Sequence, residues 1–135
     1  MNFENEKYKA SINFKIKTYE IDAAGHVNNI VYVKWLEDLR CKLFEQILPI
    51  DQLLNMNLYP VVVSTNIEYK KQLKLNECPT GIIRIENIQH NMIFLKMDFL
   101  SENKICATAS QKCVLMNLKS GTMDKSKLKS LEAQE

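Results

Sequence analysis

Asp22, Gly25, His26, Asn28 and Asn29 fall within eight residues, in the run Asp22-Ala23-Ala24-Gly25-His26-Val27-Asn28-Asn29. Directly after them the apolar residues begin to recur at helical spacing. A carboxylate in such a place can activate water or add to a carbonyl carbon itself. The start of a helix leaves backbone N–H groups unpaired and carries partial positive charge. Such groups polarise a carbonyl and stabilise the negative charge that grows on its oxygen. Together the two parts make a minimal kit for acyl transfer to water. The residue types alone fit an ordinary helix start as well, because Asp ahead of a helix commonly serves as a cap or turn residue.

The elements that would hold this stretch are legible on both sides. Ile12, Phe14 and Ile16 alternate with Asn13, Lys15 and Lys17, which predicts a strand with one wet face. From Ile30 to Leu48 the period changes: Tyr32, Trp35, Leu36, Leu39, Leu43, Phe44 and Ile47 recur at three- and four-residue steps. Asn28 or Asn29 can cap this helix, and Pro49 ends it. A second strand is predicted over Val61 to Lys71, with Val61, Val63, Thr65, Ile67 and Tyr69 sharing a face. Further strands are predicted at Gly81–Ile88, Met92–Leu100 and Ile105–Met116. The short polar links Gln89-His90-Asn91 and Ser101-Glu102-Asn103 imply antiparallel hairpins. The helix has too wide an apolar stripe to lie on a surface, so the sheet must wrap it. The expected fold is α+β, a five-stranded antiparallel sheet around one long helix. A single domain over 1–135 is expected, its core running from about 8 to 118. The polar tail 119–135 is read as fraying or as a short surface helix carrying Met123, Leu128 and Leu131.

Composition narrows the chemistry. With 18 basic and 16 acidic residues the net charge is +2, which provides no electrostatic footprint for nucleic acid. The charged N-terminus lacks the apolar centre of a signal peptide, and no apolar run, Val61 to Val63 included, is nearly long enough to enter a bilayer. Cys41, Cys78, Cys106 and Cys113 form no Cys-x-x-Cys pair, and only His26 and His90 accompany them, so no metal site is expected. These features read as a cytoplasmic protein with reduced, catalytically idle thiols.

The pattern Asp22-x-x-Gly25-His26-Val27-Asn28-Asn29-x-x-Tyr32-x-x-Trp35-x-Glu37 resembles the signature of hot-dog-fold thioesterases, in particular the 4-hydroxybenzoyl-CoA thioesterase superfamily and small bacterial acyl-CoA thioesterases. The predicted element order is similar to that fold up to about Met116. The resemblance implies hydrolysis of an acyl-CoA or acyl-ACP thioester, with Asp22 as catalytic carboxylate and the Asn29 backbone amide as oxyanion donor. It implies no cofactor, coenzyme A being part of the substrate. Gly25 matches the glycine that lets the loop turn tightly, and Asn28 belongs to the same substrate-facing segment. Tyr32 and Trp35 match aromatic helix positions, which serve equally as core packing. His26 matches a histidine that takes part in the site in plant acyl-ACP thioesterases.

The chain departs from the plant pattern, with Ala24 two residues before the histidine and Gln72-Leu73 after Glu68-Tyr69-Lys70-Lys71. That favours the simpler aspartate mechanism and leaves Glu68 a second-rank candidate, on a strand face with Ser64 and Asn66. Lys70, Lys71 and Arg84 are candidates to meet the phosphates of coenzyme A. Two alternatives come from other classes: a non-catalytic acyl-CoA-binding hot-dog module, and a hydroxyacyl dehydratase or hydratase. The latter needs a His–acid pair, usually in a proline-containing loop, and this loop has no proline. The resemblance also implies a homodimer or homotetramer joined edge to edge, with Val61–Thr65 as the candidate edge because it carries few charges.

Overall fold

The computed structural model describes residues 3–133. Asn28 opens the long helix α1 (Asn29–Ile47): its side-chain oxygen accepts from the Ile30 N–H at 3.1 Å, the usual capping bond. Its buried stripe is Val31, Tyr32, Trp35, Leu36, Leu39, Leu43 and Phe44. Burying each large side chain here contributes roughly 1.5–3 kcal/mol, which makes packing rather than intrinsic propensity the reason this helix is stable. The chain turns at Leu48-Pro49 and enters a short second helix, α2 (Ile50–Asn55), absent from the sequence reading because one buried residue, Leu53, shows no period.

Five antiparallel strands, β1 (Lys9–Asn13), β2 (Leu58–Tyr69), β3 (Thr80–Gln89), β4 (Met92–Ser101) and β5 (Lys104–Asn117), form one sheet in the order β1-β3-β4-β5-β2. With α1 packed on its inner face, this is the hot-dog arrangement. The predicted links are two-residue turns: His90 and Asn91, then Glu102 and Asn103, all with positive φ, the geometry that suits the twist of paired strands. Under the first half of α1 runs one cross-strand row, Ile12–Gly81–Phe99–Ala107–Tyr69. Gly81 and Ala107 are small on either side of Phe99, and the rings of Phe14, Tyr32 and Trp35 fill the space above. A Cβ on Gly81 would lie 2.7 Å from the Phe14 ring, so the close approach demands glycine.

Three boundaries differ from expectation. The first ladder lies earlier than Ile12–Ile16, because β3 begins at Thr80 opposite Asn13 and offers nothing further to pair with. Phe14 and Ile16 are still buried, preserving the alternation beyond the strand. In β2 a bulge at Val63 sets two residues against one, as Val62 pairs Cys113 and Ser64 pairs Lys112. A one-residue insertion reverses the phase, so Val61 does not share a face with Thr65, Ile67 and Tyr69. Finally, the polar tail forms a helix, α3 (Lys127–Ala133), whose Leu128 and Leu131 are buried in the common core. Residues 134 and 135 of that tail lie outside the described residues.

Candidate active site

The loop before α1 is held by its own backbone. Ile21 and Val27 form an antiparallel bridge, the Asp22 N–H donates to the His26 carbonyl (2.8 Å), and the Gly25 N–H donates to the Asp22 carbonyl (3.0 Å). Gly25 has φ +82, a left-handed conformation that L side chains rarely adopt, which is why glycine closes this turn. The Asp22 side chain joins the same turn: its Oδ1 accepts from the N–H groups of Ala24 (2.9 Å) and His26 (3.1 Å). Among the described residues Oδ2 has no hydrogen-bond partner. The carboxylate is therefore aimed through one oxygen and open through the other.

The start of α1 is equally selective. Asn28 donates its N–H to the Glu20 carbonyl (2.9 Å), Ile30 is capped by the Asn28 side chain, and the Val31 N–H reaches the Asn28 carbonyl (2.9 Å). The Asn29 N–H alone of these four has no acceptor among the described residues. An open donor at a helix start and an open carboxylate oxygen in the loop before it are the two kinds of group that attack at a carbonyl would use.

Behind the loop lies a brace that sequence reasoning missed. Val27 donates to the Leu73 carbonyl (2.8 Å), His26 bridges to Lys74, and the Lys74 N–H donates to Glu77 Oε2 (2.7 Å). Glu77 Oε1 accepts from the buried Ser101 hydroxyl (2.9 Å). Burial would raise the Glu77 carboxyl, but the Lys74 and Ser101 hydrogen bonds and the charges of Lys71 and Lys74 outweigh it and hold it below its ordinary value. Tyr69, also missed, donates its hydroxyl to the Asn29 carbonyl (3.1 Å) and packs edge-on against Tyr32 (5.2 Å between centroids). The only signal for it was its place on the strand face with Thr65 and Ile67.

The remaining candidates separate. Tyr32 is buried among Trp35, Tyr69 and Phe99 as part of the core; burial pushes its phenol above the ordinary range, with Cys106, Tyr69 and Glu77 adding to the effect. His26 contributes backbone bonds to the loop. Glu68 pairs with Thr108 across the sheet, on the face away from α1, beside Asn66 and Ser110 in a shallow depression; its carboxylate meets Lys70 Nζ at 3.1 Å. The structure does not bring Glu68 to Asp22. Lys71 is exposed where β2 ends, and Arg84 sits between Lys9 and Lys96 on the outer sheet face. Among the described residues, no group of three His, Cys, Asp or Glu side chains is positioned to hold a metal ion, and no helix is long and apolar enough to cross a membrane.

The Thioesterase-like superfamily matches residues 16–134 of the chain. The chain belongs to that family. Membership supports thioester hydrolysis as its general chemistry. No curated protein matches the sequence significantly. Among solved structures, the fold is similar to DHNA-CoA thioesterase from Staphylococcus aureus, at 15% identity and TM-score 0.82 over 93% of this chain and 88% of that one. It is similar to YbaW, a probable thioesterase from Escherichia coli (24% identity, TM-score 0.76, 87% and 88% covered). A hypothetical protein from Staphylococcus aureus, solved in complex with CoA, is also similar (14% identity, TM-score 0.78, 87% and 74% covered).

Proposed function

We propose that this family member hydrolyses an acyl-CoA or acyl-ACP thioester to free acid and thiol, with Asp22 as general base or nucleophile. The observation that carries the reading is the open Asn29 N–H in the same loop as the unengaged Oδ2 of Asp22. The thioester oxygen accepts from the Asn29 N–H, which stabilises it as charge develops. Asp22 takes a proton from water as the water oxygen bonds to the carbonyl carbon. The tetrahedral adduct then expels the thiolate, which recovers that proton from Asp22. In the alternative route Asp22 adds directly, expels the thiolate and leaves an anhydride that water cleaves. Gly25 and Asn28 shape the loop and the helix start, and His26 lies beside the substrate. The CoA-bound structure of similar fold supports a CoA-type substrate.

We further propose a homodimer, pairing into a homotetramer, through β2. This strand has only β5 as neighbour, and its exposed Tyr59, Val61 and Val63 present apolar surface on an unpaired edge. The exposed Ile30 and Val33 add to it from α1.

Asp22→Asn tests the reading cleanly, because an amide oxygen can still accept from Ala24 and His26 and so keep the loop. Turnover of the best substrate in an acyl-CoA panel, followed by thiol release, should fall roughly 10²–10⁴-fold with the fold intact. Near wild-type turnover would overturn the assignment.

A further inference from the structure

A groove of about 530 Å³ lies on the side of α1 remote from β2 and begins beside the catalytic loop. One wall is the segment from Ile12 to Glu20; the other is Lys34, Trp35, Asp38, Cys41, Lys42 and Glu45 of α1. Tyr19, three residues before Asp22, is 72% exposed, and the Lys34 ammonium lies over its ring, 5.7 Å from the centroid. Lys15 and Lys17 are exposed on the same segment because Phe14 and Ile16 take the buried positions of the alternation. Among the described residues Lys15, Lys17 and Lys34 make no ion pair. A single exposed tyrosine needs no explanation; one lying beneath Lys34, in a groove that Lys15 and Lys17 also line and that ends two residues before Asp22, has the composition of a nucleotide phosphate site.

Of the three acids that line the groove, one is occupied and two lie farther along α1. Glu20 is buried and accepts from the Lys17 N–H (2.8 Å). Asp38 and Glu45 follow Lys34 by one and three turns, about 6 and 16 Å along the helix. Positive charge is thus gathered at the end nearest the catalytic loop. Lys34 is five residues beyond Asn29, about 7.5 Å along the axis and well over a third of a turn around it. A flexible arm must bridge that separation, as pantetheine bridges thioester and nucleotide in coenzyme A. Lys70, by contrast, is already paired with Glu68.

We propose that this groove binds the nucleotide end of coenzyme A, with the adenine stacked on Tyr19 and the phosphates met by Lys15, Lys17 and Lys34. The assignment rests on the thioesterase reading and narrows it to CoA over ACP, since only CoA carries an adenine. One acyl group would be presented on CoA, on pantetheine and on ACP, and CoA binding measured by calorimetry. Tyr19→Ala combined with Lys34→Ala should raise KM for acyl-CoA and weaken CoA binding about tenfold or more, the scale of a lost base-stacking contact with a charge contact. Its kcat, and its rates on acyl-pantetheine, should match wild type. Tyr19→Phe, which keeps the stacking face, should restore binding when Lys34 is present. Equal loss on acyl-CoA and acyl-pantetheine, or loss on acyl-ACP alone, would overturn the assignment. So would a CoA-specific loss arising from Lys70→Ala with Lys71→Ala instead. CoA binding through Tyr19 and Lys34 without any thioester turnover would leave the groove assignment standing and sink the hydrolytic reading.

Discussion

Replacing Tyr69 with phenylalanine removes one oxygen and isolates what its hydroxyl does. That hydroxyl donates to the Asn29 carbonyl at 3.1 Å and ties the first turn of α1 to the edge strand β2. The ring, and its edge-on contact with Tyr32, would remain, so no cavity forms. The Asn29 carbonyl is exposed, and water can replace the lost donor. The stability cost therefore sits at the low end for a neutral hydrogen bond, about 0.5–1 kcal/mol. For a domain of this size that corresponds to a fall in Tm of about 2–5 °C. The effect on turnover is separate. With the pin gone the first turn can drift, and the open Asn29 N–H loses part of its alignment with a carbonyl oxygen. A loss of ~1.4 kcal/mol in transition-state stabilisation lowers kcat tenfold. We expect kcat to fall about three- to tenfold with KM nearly unchanged, measured by thiol release, alongside the Tm shift by calorimetry. A Tyr69→Phe enzyme with wild-type kcat would refute the alignment argument, whatever its Tm. A rise in KM at constant kcat would instead make Tyr69 a pocket wall.

Three other outcomes follow from the geometry. Gly81→Ala forces a methyl group to 2.7 Å from the Phe14 ring and 3.0 Å from Leu39; overpacking of this kind should cost about 1–3 kcal/mol in denaturant unfolding. Val63→Lys places a charge on the bulge of the unpaired β2 edge, so sedimentation should show weaker assembly together with lower activity, whereas loss of activity in an intact dimer would speak against edge pairing. The depressed Glu77 carboxyl contributes stability that is complete above its ordinary titration range and is lost as pH falls through its folded value. Wild-type stability should therefore drop more steeply with acid, below about pH 4.5, than that of Glu77→Gln, and a parallel pH profile would remove Glu77 from the brace.

How much of this was readable from the chain depends on how far each feature reaches. Local energies write themselves into local patterns. The 3.6-residue recurrence from Tyr32 to Ile47, the capping Asn28, the terminating Pro49 and the two-residue turns at His90-Asn91 and Glu102-Asn103 each depend on neighbours a few positions away. The run Asp22 to Asn29 is of the same kind, since its turn and cap bonds span four residues or fewer. What the tertiary structure decided is non-local. The strand order β1-β3-β4-β5-β2 leaves β2 at an edge, which no strand's own alternation reveals. The bulge at Val63 depends on matching β2 to β5, and it reversed the expected face of Val61 because side-chain phase follows pairing. Tyr69 reaches Asn29 across 40 residues, and Ser101 reaches Glu77 across 24. Leu128 and Leu131 looked too sparse for a core element, yet two side chains suffice when the core already exists to receive them. The sequence by itself specified the turn and cap of the loop and the helix that follows it. Its bracing, its edge and the groove beside it came only when distant segments packed together, because their energies lie in contacts that no short window contains.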